Sequence, residues 1–249
     1  MSAWVGMAQS VGVVARSQFA RNWSLLVTSN LLVQTLAMLA TIRIARVLAP
    51  HGYGEFNLVQ ALAVLGTLLA GLGTRQVLIR ACAREPQRTR QLLANATLLR
   101  SSAFVVVAAA IVIYSGLGRP DLTPALGALA VAAMAGLCAW DLLESIAFGH
   151  QRMDFSSALS MLGAIAWLVW AWTVPEAWLT PLSVSIAFAL VQAGRVVAYF
   201  VLVRRVGWLA NRPSPAWQND WRHDLLEPAL PFYWAAMVSA LTNQVPILF

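Results

Sequence analysis

Residues 101–118 read SSAFVVVAAAIVIYSGLG, eighteen positions without one charged side chain. As a helix such a run rises about 27 Å, close to the ~30 Å hydrocarbon core of a bilayer. It lacks the strict alternation of a barrel strand. Lipid offers no partner to a backbone N–H or C=O, so a run placed there must satisfy its own peptide groups as a helix. Outward from this stretch, residues 22–42, 56–74, 122–140, 155–175, 177–194 and 228–249 are also free of charge, and the sixth run in chain order resumes after Arg195 through residue 203. The chain is therefore expected to be all-α, a polytopic helical membrane protein. Residues 22–203 form a six-span lobe between a cytoplasmic segment 1–21 and a cytoplasmic loop 204–227. Residues 228–249 begin a seventh span and a second lobe, so the chain reads as the front part of a longer protein.

Composition agrees. Hydrophobic residues make up 59% of the 249 positions and charged residues 11%, against about 25% charged in a soluble domain. That deficit cannot clothe a globule of this size. All seventeen basic residues are arginine, which with the alanine richness reads as biased coding. A net charge of +7 invites a nucleic-acid reading, but the arginines lie between apolar runs, and no nucleic-acid partner is expected. Cys82 and Cys138 are far apart and form no ligand or redox motif. No basic segment precedes the mildly apolar start, so no cleaved signal peptide is expected.

Arginine placement gives the orientation. With the N-terminus in the cytoplasm, thirteen arginines fall on the inner side: 16, 21, 75, 80, 84, 88, 90, 100, 152, 204, 205, 212 and 222. Three, Arg43, Arg46 and Arg119, fall outside, and Arg195 lies within a span. This is the positive-inside asymmetry of a multi-pass plasma-membrane (inner-membrane) protein. Trp167, Trp170, Trp172 and Trp178 gather where an outer aromatic belt belongs. The basic stretch from Arg75 to Arg100 reads as an amphipathic helix on anionic headgroups.

At the end of the first run comes Ala45-Arg46-Val47-Leu48-Ala49-Pro50-His51-Gly52-Tyr53-Gly54, and Gly71-Leu72-Gly73 closes the second. Pro50 cannot continue a helix and restricts Ala49, while Gly52 and Gly54 permit unusual backbone angles. The expectation is a tight outer turn with Tyr53 as an interfacial anchor. With Leu78-Ile79-Arg80, Gly149-His150-Gln151-Arg152-Met153 and Leu230-Pro231-Phe232, the stretch resembles the N-terminal signature of the polysaccharide-biosynthesis flippases. These are the oligosaccharide exporters of the multidrug/oligosaccharidyl-lipid/polysaccharide exporter superfamily. Ala49 departs from the family, which often has glycine before the proline, and the family's twelve to fourteen spans exceed those here. The resemblance implies alternating access between two helical lobes, a polyprenyl-linked glycan as substrate, membrane lipids as surroundings and polysaccharide assembly proteins as possible partners.

Enzyme motifs are poor: no phosphate-binding loop and no Cys/His metal spacing occurs. No metal, no cofactor and no bond-making chemistry is expected. His51, His150 and His223 read as solvated loop residues. Charges inside spans carry more information, because each costs about 2.5–3.5 kcal/mol at mid-bilayer. Asp141 and Glu144 share a helix face and lie at the depth of Arg195, which predicts an ion pair or gate among the three. Arg43 and Arg46 share a second face against the charge rule, as a cationic patch for a phosphate or pyrophosphate or as ligands of lipid headgroups. Asn30, Gln34 and Asn57 can meet sugar hydroxyls in a lumen or bond between helices.

The function expected is a flippase that moves a lipid-linked oligosaccharide across the plasma membrane for cell-surface polysaccharide. The alternatives are a multidrug or peptidoglycan-precursor exporter of the same superfamily, a membrane-embedded glycan-assembly enzyme, and a non-transporting assembly subunit. The orientation is directly testable. A cysteine replacing Ser214 should escape an impermeant maleimide added to intact cells and react once the membrane is opened; labelling from outside overturns the topology.

Overall fold

A computed structural model describes residues 2–117, 122–208 and 227–248, with side chains over 24–117, 122–208 and 227–238. Seven α-helices account for nearly all of them: α1 (Ser2–Gly71), α2 (Thr74–Arg84), α3 (Thr89–Gly116), α4 (Pro124–Gly149), α5 (Met153–Thr173), α6 (Pro181–Val206) and α7 (Glu227–Leu248). Among the described residues there is no strand. Five helices are long and apolar enough to cross a membrane: Ser24–Gly71 of α1, Pro86–Gly116 around α3, and α4, α5 and α6. The loop residues Arg119, Arg212, Ser214, Arg222 and His223 lie outside the described residues.

The helix ends follow local chemistry. Thr-Pro opens both α4 and α6. The Thr123 hydroxyl accepts from the Leu126 N–H, Thr180 and Ser183 form a reciprocal capping box, and Pro124 and Pro181 occupy the first helical position. The sixth run thus becomes helical at Pro181, after a short 3-10 turn, Glu176–Trp178. Thr173 ends α5 because Pro175 pushes Val174 to an extended conformation. Gly207, with φ 80°, closes α6.

α1 is two arms. Residues 2–48 and 50–71 are helical, and Ala49 between them has φ 57° and ψ 173°. Val33 of the first arm and Gln60 of the second line one cavity. In a straight helix they would lie about 40 Å apart, so the arms fold back on each other. The turn differs from the one expected. Gly52, Tyr53 and Gly54 are helical, the whole reversal falls on Ala49, and Pro50 starts the second arm. Gly52 serves close packing instead, for a Cβ there would stand 3.2 Å from Pro181 Cγ. Tyr53 packs against the core and is only partly buried. The segment 1–21, expected to precede the first span, is helical from Ser2 and continuous with it.

α4 is central. Half of its apolar window is buried inside the protein, against 17% for that of α3. The core joins both α1 arms to α3, α4, α5 and α6 through Ile44, Phe56, Ile111, Met134, Trp167 and Phe188. Phe56 stacks on Trp167 and meets Phe188 edge-on, each at 6.1 Å. Outward-facing Val106, Leu162, Leu190 and Val197 are 60–71% exposed, as suits helices whose solvent is lipid. α2 lies across one end of this bundle, with Cys82 against Gly149. Gly73, at φ 67°, lets α7 approach so closely that a Cβ would sit 2.6 Å from Ala229 O and Tyr233 N.

Ala49 occupies backbone space that is essentially glycine's, at a cost of order 1–3 kcal/mol. Ala49→Gly is expected to raise the melting temperature of the purified protein. The net gain should be roughly 1 kcal/mol after glycine's larger unfolded-chain entropy is subtracted. A lower melting temperature would contradict the strain.

Candidate functional site

α4 continues two turns past Asp141 to Gly149, and its two acids meet cations of neighbouring helices. Arg75, in the first turn of α2, binds both carboxylates: its guanidinium contacts Asp141 Oδ1, and its second nitrogen lies 2.7 Å from Glu144 Oε2. Arg100 of α3 is 3% exposed and donates at 2.7 Å to Asp141 Oδ2 and, through Nε, at 2.7 Å to Thr74 Oγ1. The Ser156 hydroxyl donates to Glu144 from α5. Two cations and two anions therefore bind α2, α3, α4 and α5 together at one end, with their formal charges balanced.

This corrects two expectations. The stretch from Arg75 to Arg100 is two helices, α2 and the start of α3, broken at Glu85, and Arg75 and Arg100 turn inward, while Arg84 and Arg90 are exposed and Arg80 lies 5.0 Å over the Phe232 ring. The sequence held the signal. Arg75 is in register with buried Leu78 and Cys82, and Arg100 with buried Leu92 and Ala96. The second correction concerns Arg195, which makes no ion pair with Asp141 or Glu144. Its guanidinium covers the Trp140 ring at 4.0 Å and donates to Gln192 Oε1 at 2.9 Å and Ser160 Oγ at 3.2 Å. Arg195 and Asp141 do share a level in the bundle, since Trp140 is the neighbour of Asp141. Consecutive helical residues point ~100° apart, however, and Arg195 meets α4 on the Trp140 side.

Arg195 also faces a cavity of about 160 Å³ between the α1 arms, α5 and α6. Thr41, Gln60, Ser160 and Gln192 give it polar groups, and Phe56, Trp167 and Phe188 give it aromatic walls. The arginine reaches it because α5 has no side chain in the way: a Cβ at Gly163 would lie 2.5 Å from Arg195 Cδ. No acid lines this cavity.

The other candidates scatter. Arg43 turns to the end of α5, 5.2 Å from the Trp172 ring and 3.5 Å from Val174 O. Arg46 is exposed. Asn30 and Gln34 are exposed on the first arm and Asn57 is half-buried, and none of them lines the cavity. His51 pairs with Glu55 at 3.3 Å. His150 is not a solvated loop residue. It lies 3.2 Å from Thr89 Oγ1 and stacks on Trp208 at 4.6 Å, and burial lowers its pKa. Among the described residues no group of His, Cys, Asp and Glu could hold a metal ion.

The family of polysaccharide biosynthesis proteins matches residues 19–247. The chain belongs to it. Every residue of the ionic cluster and of the polar cavity falls within the match. No curated protein and no solved structure matches the chain.

In this polysaccharide-biosynthesis protein, removing one partner of a buried pair strands the other, at a typical cost of 3–5 kcal/mol. Arg100→Gln is expected to lose about 3 kcal/mol of stability, and the exposed Arg84→Gln less than about 0.5 kcal/mol. Thermal unfolding of both variants in one detergent checks this. Equal melting temperatures would remove the structural role of the cluster.

Proposed function

We propose that the protein moves a lipid-linked oligosaccharide across the plasma membrane, with its helices forming a six-crossing transporter lobe and the two arms of α1 counting as separate crossings. The observation that carries this reading is Arg195, a cation about half-way along α6 with no acidic partner, facing a polar cavity inside an apolar lobe. An ionisable group is costly at such depth and is kept where it meets a substrate or a water-filled path. The polar walls suit sugar hydroxyls, and the guanidinium suits a phosphate or pyrophosphate. Family membership supports a polysaccharide precursor as substrate, and the absence of acid from the cavity lining disfavours a cationic drug. The reaction is translocation without bond making.

The orientation that fits best puts the α2 end in the cytoplasm. Among the described residues with described side chains, Arg75, Arg80, Arg84, Arg88, Arg90, Arg100, Arg152, Arg204 and Arg205 lie towards that end, and Arg43 and Arg46 lie towards the Ala49 bend. The glycan would then be loaded from the α2 side and released past the bend.

The test is translocation of a fluorescent polyprenyl-pyrophosphate glycan by the protein in liposomes. Arg195→Gln is expected to lower the rate at least ten-fold, and Arg84→Gln to leave it within two-fold. Undiminished translocation by Arg195→Gln would remove the cavity from the path.

A further inference from the structure

We propose that the seam between α5 and α6 is a binding site for a polyprenyl phosphate, its phosphate on Arg195 and its chain in an apolar groove outside the lobe. This rests on the flippase reading for the identity of the lipid. Two cavities meet at the seam. The polar one, inside the lobe, and a groove of about 370 Å³ share Gly163, Val191 and Arg195 as a common wall. The groove is lined by Leu159, Leu162, Ala166, Leu190 and Ala198. Leu162 and Leu190 are 60% and 66% exposed, so it opens outward, towards lipid.

The wall itself is thin. Gly163 carries the Arg195 side chain directly, and a Cβ at Gly194 would meet nothing within 4 Å. The Arg195 side chain is thus the partition between a polar interior and an apolar exterior. It contacts the neutral oxygens of Gln192 and Ser160 and the Trp140 ring. Two of the five N–H groups of a guanidinium are used, and Nε is buried without a partner. Arg195 stands ~21 Å along the helix from Pro181 and ~17 Å from Val206. Glu144 attracts Arg195 without forming a salt bridge; a cation so placed favours an anion at contact, and phosphate oxygens accept the paired N–H groups of arginine.

The groove decides what carries the anion. A soluble phosphate gains nothing from apolar walls, whereas a hydrocarbon chain fills them. A furrow between two helices holds a single chain, which fits a polyprenyl phosphate, while a diacyl lipid brings two.

The experiment measures binding of four probes to the purified protein in neutral detergent: a long-chain polyprenyl phosphate, the matching polyprenol, phosphatidylglycerol and inorganic phosphate. The polyprenyl phosphate is expected to bind at least ten-fold tighter than the other three. Arg195→Gln should abolish the preference for phosphate over alcohol, and Arg195→Lys should restore part of it. Ala166→Phe fills the groove on its lipid face, leaves Arg195 in place, and should weaken the polyprenyl phosphate at least five-fold. Phosphatidylglycerol binding as tightly, or wild-type binding by both Arg195→Gln and Ala166→Phe, overturns the site. The two proposals fail separately. If Arg195→Gln stops translocation while Ala166→Phe binds and transports normally, the inner cavity stands and the seam falls. Selective polyprenyl phosphate binding lost in Ala166→Phe, with no translocation by the wild type, supports the seam and removes the flippase.

Discussion

Hydrocarbon cannot hydrogen-bond a peptide group or solvate a charge, and the rest of the structure follows from that. It makes each long apolar run a helix. It leaves association to close packing, because lipid tails are as apolar as leucine. Glycine contacts do that work here: Gly66 against Met134, Gly136 against Gln192 and Gly149 against Cys82. Two inward-facing charged sites stand out, a neutralised cluster near α2 and Arg195 over the Trp140 ring.

The two places behave differently because their accounts of charge differ. Asp141 and Glu144 are covered by Arg75, Arg100 and Ser156. Such a cluster ties four helices and favours one arrangement of them. Arg195 is in contact with dipoles and an aromatic face, and Glu144 acts on it without a salt bridge. Direct ion pairing thus distinguishes the cluster from Arg195.

Legibility in the sequence divided along the same line. Charge-free runs located the apolar helices, since solvent imposes that pattern residue by residue. The depth of Asp141, Glu144 and Arg195 was readable from helical rise. Their partners were not, because depth does not fix azimuth, and a rotation of one residue took Arg195 to Trp140. Arg75 and Arg100 were hidden by their setting among exposed arginines, although the buried residues one and two turns away mark their face. The bend at Ala49 was located by Pro50, but its shape was not, since the glycines nearby take helical angles and the alanine takes the glycine-like ones.

The order of the cluster along the chain bears on how the protein is made. Arg75 and Arg100 precede Asp141 and Glu144, and Ser156 follows. A ribosome feeding the membrane therefore delivers both cations before either acid, at the end of the bundle where the acids finish. When α4 is released, its carboxylates arrive beside waiting guanidiniums and need never rest unpaired in lipid. Ser156 then closes the last carboxylate as α5 follows. Arg195 comes after all of them, when the acids are already taken. Its solitude is thus compatible with the sequence of synthesis as well as with the geometry of the finished lobe.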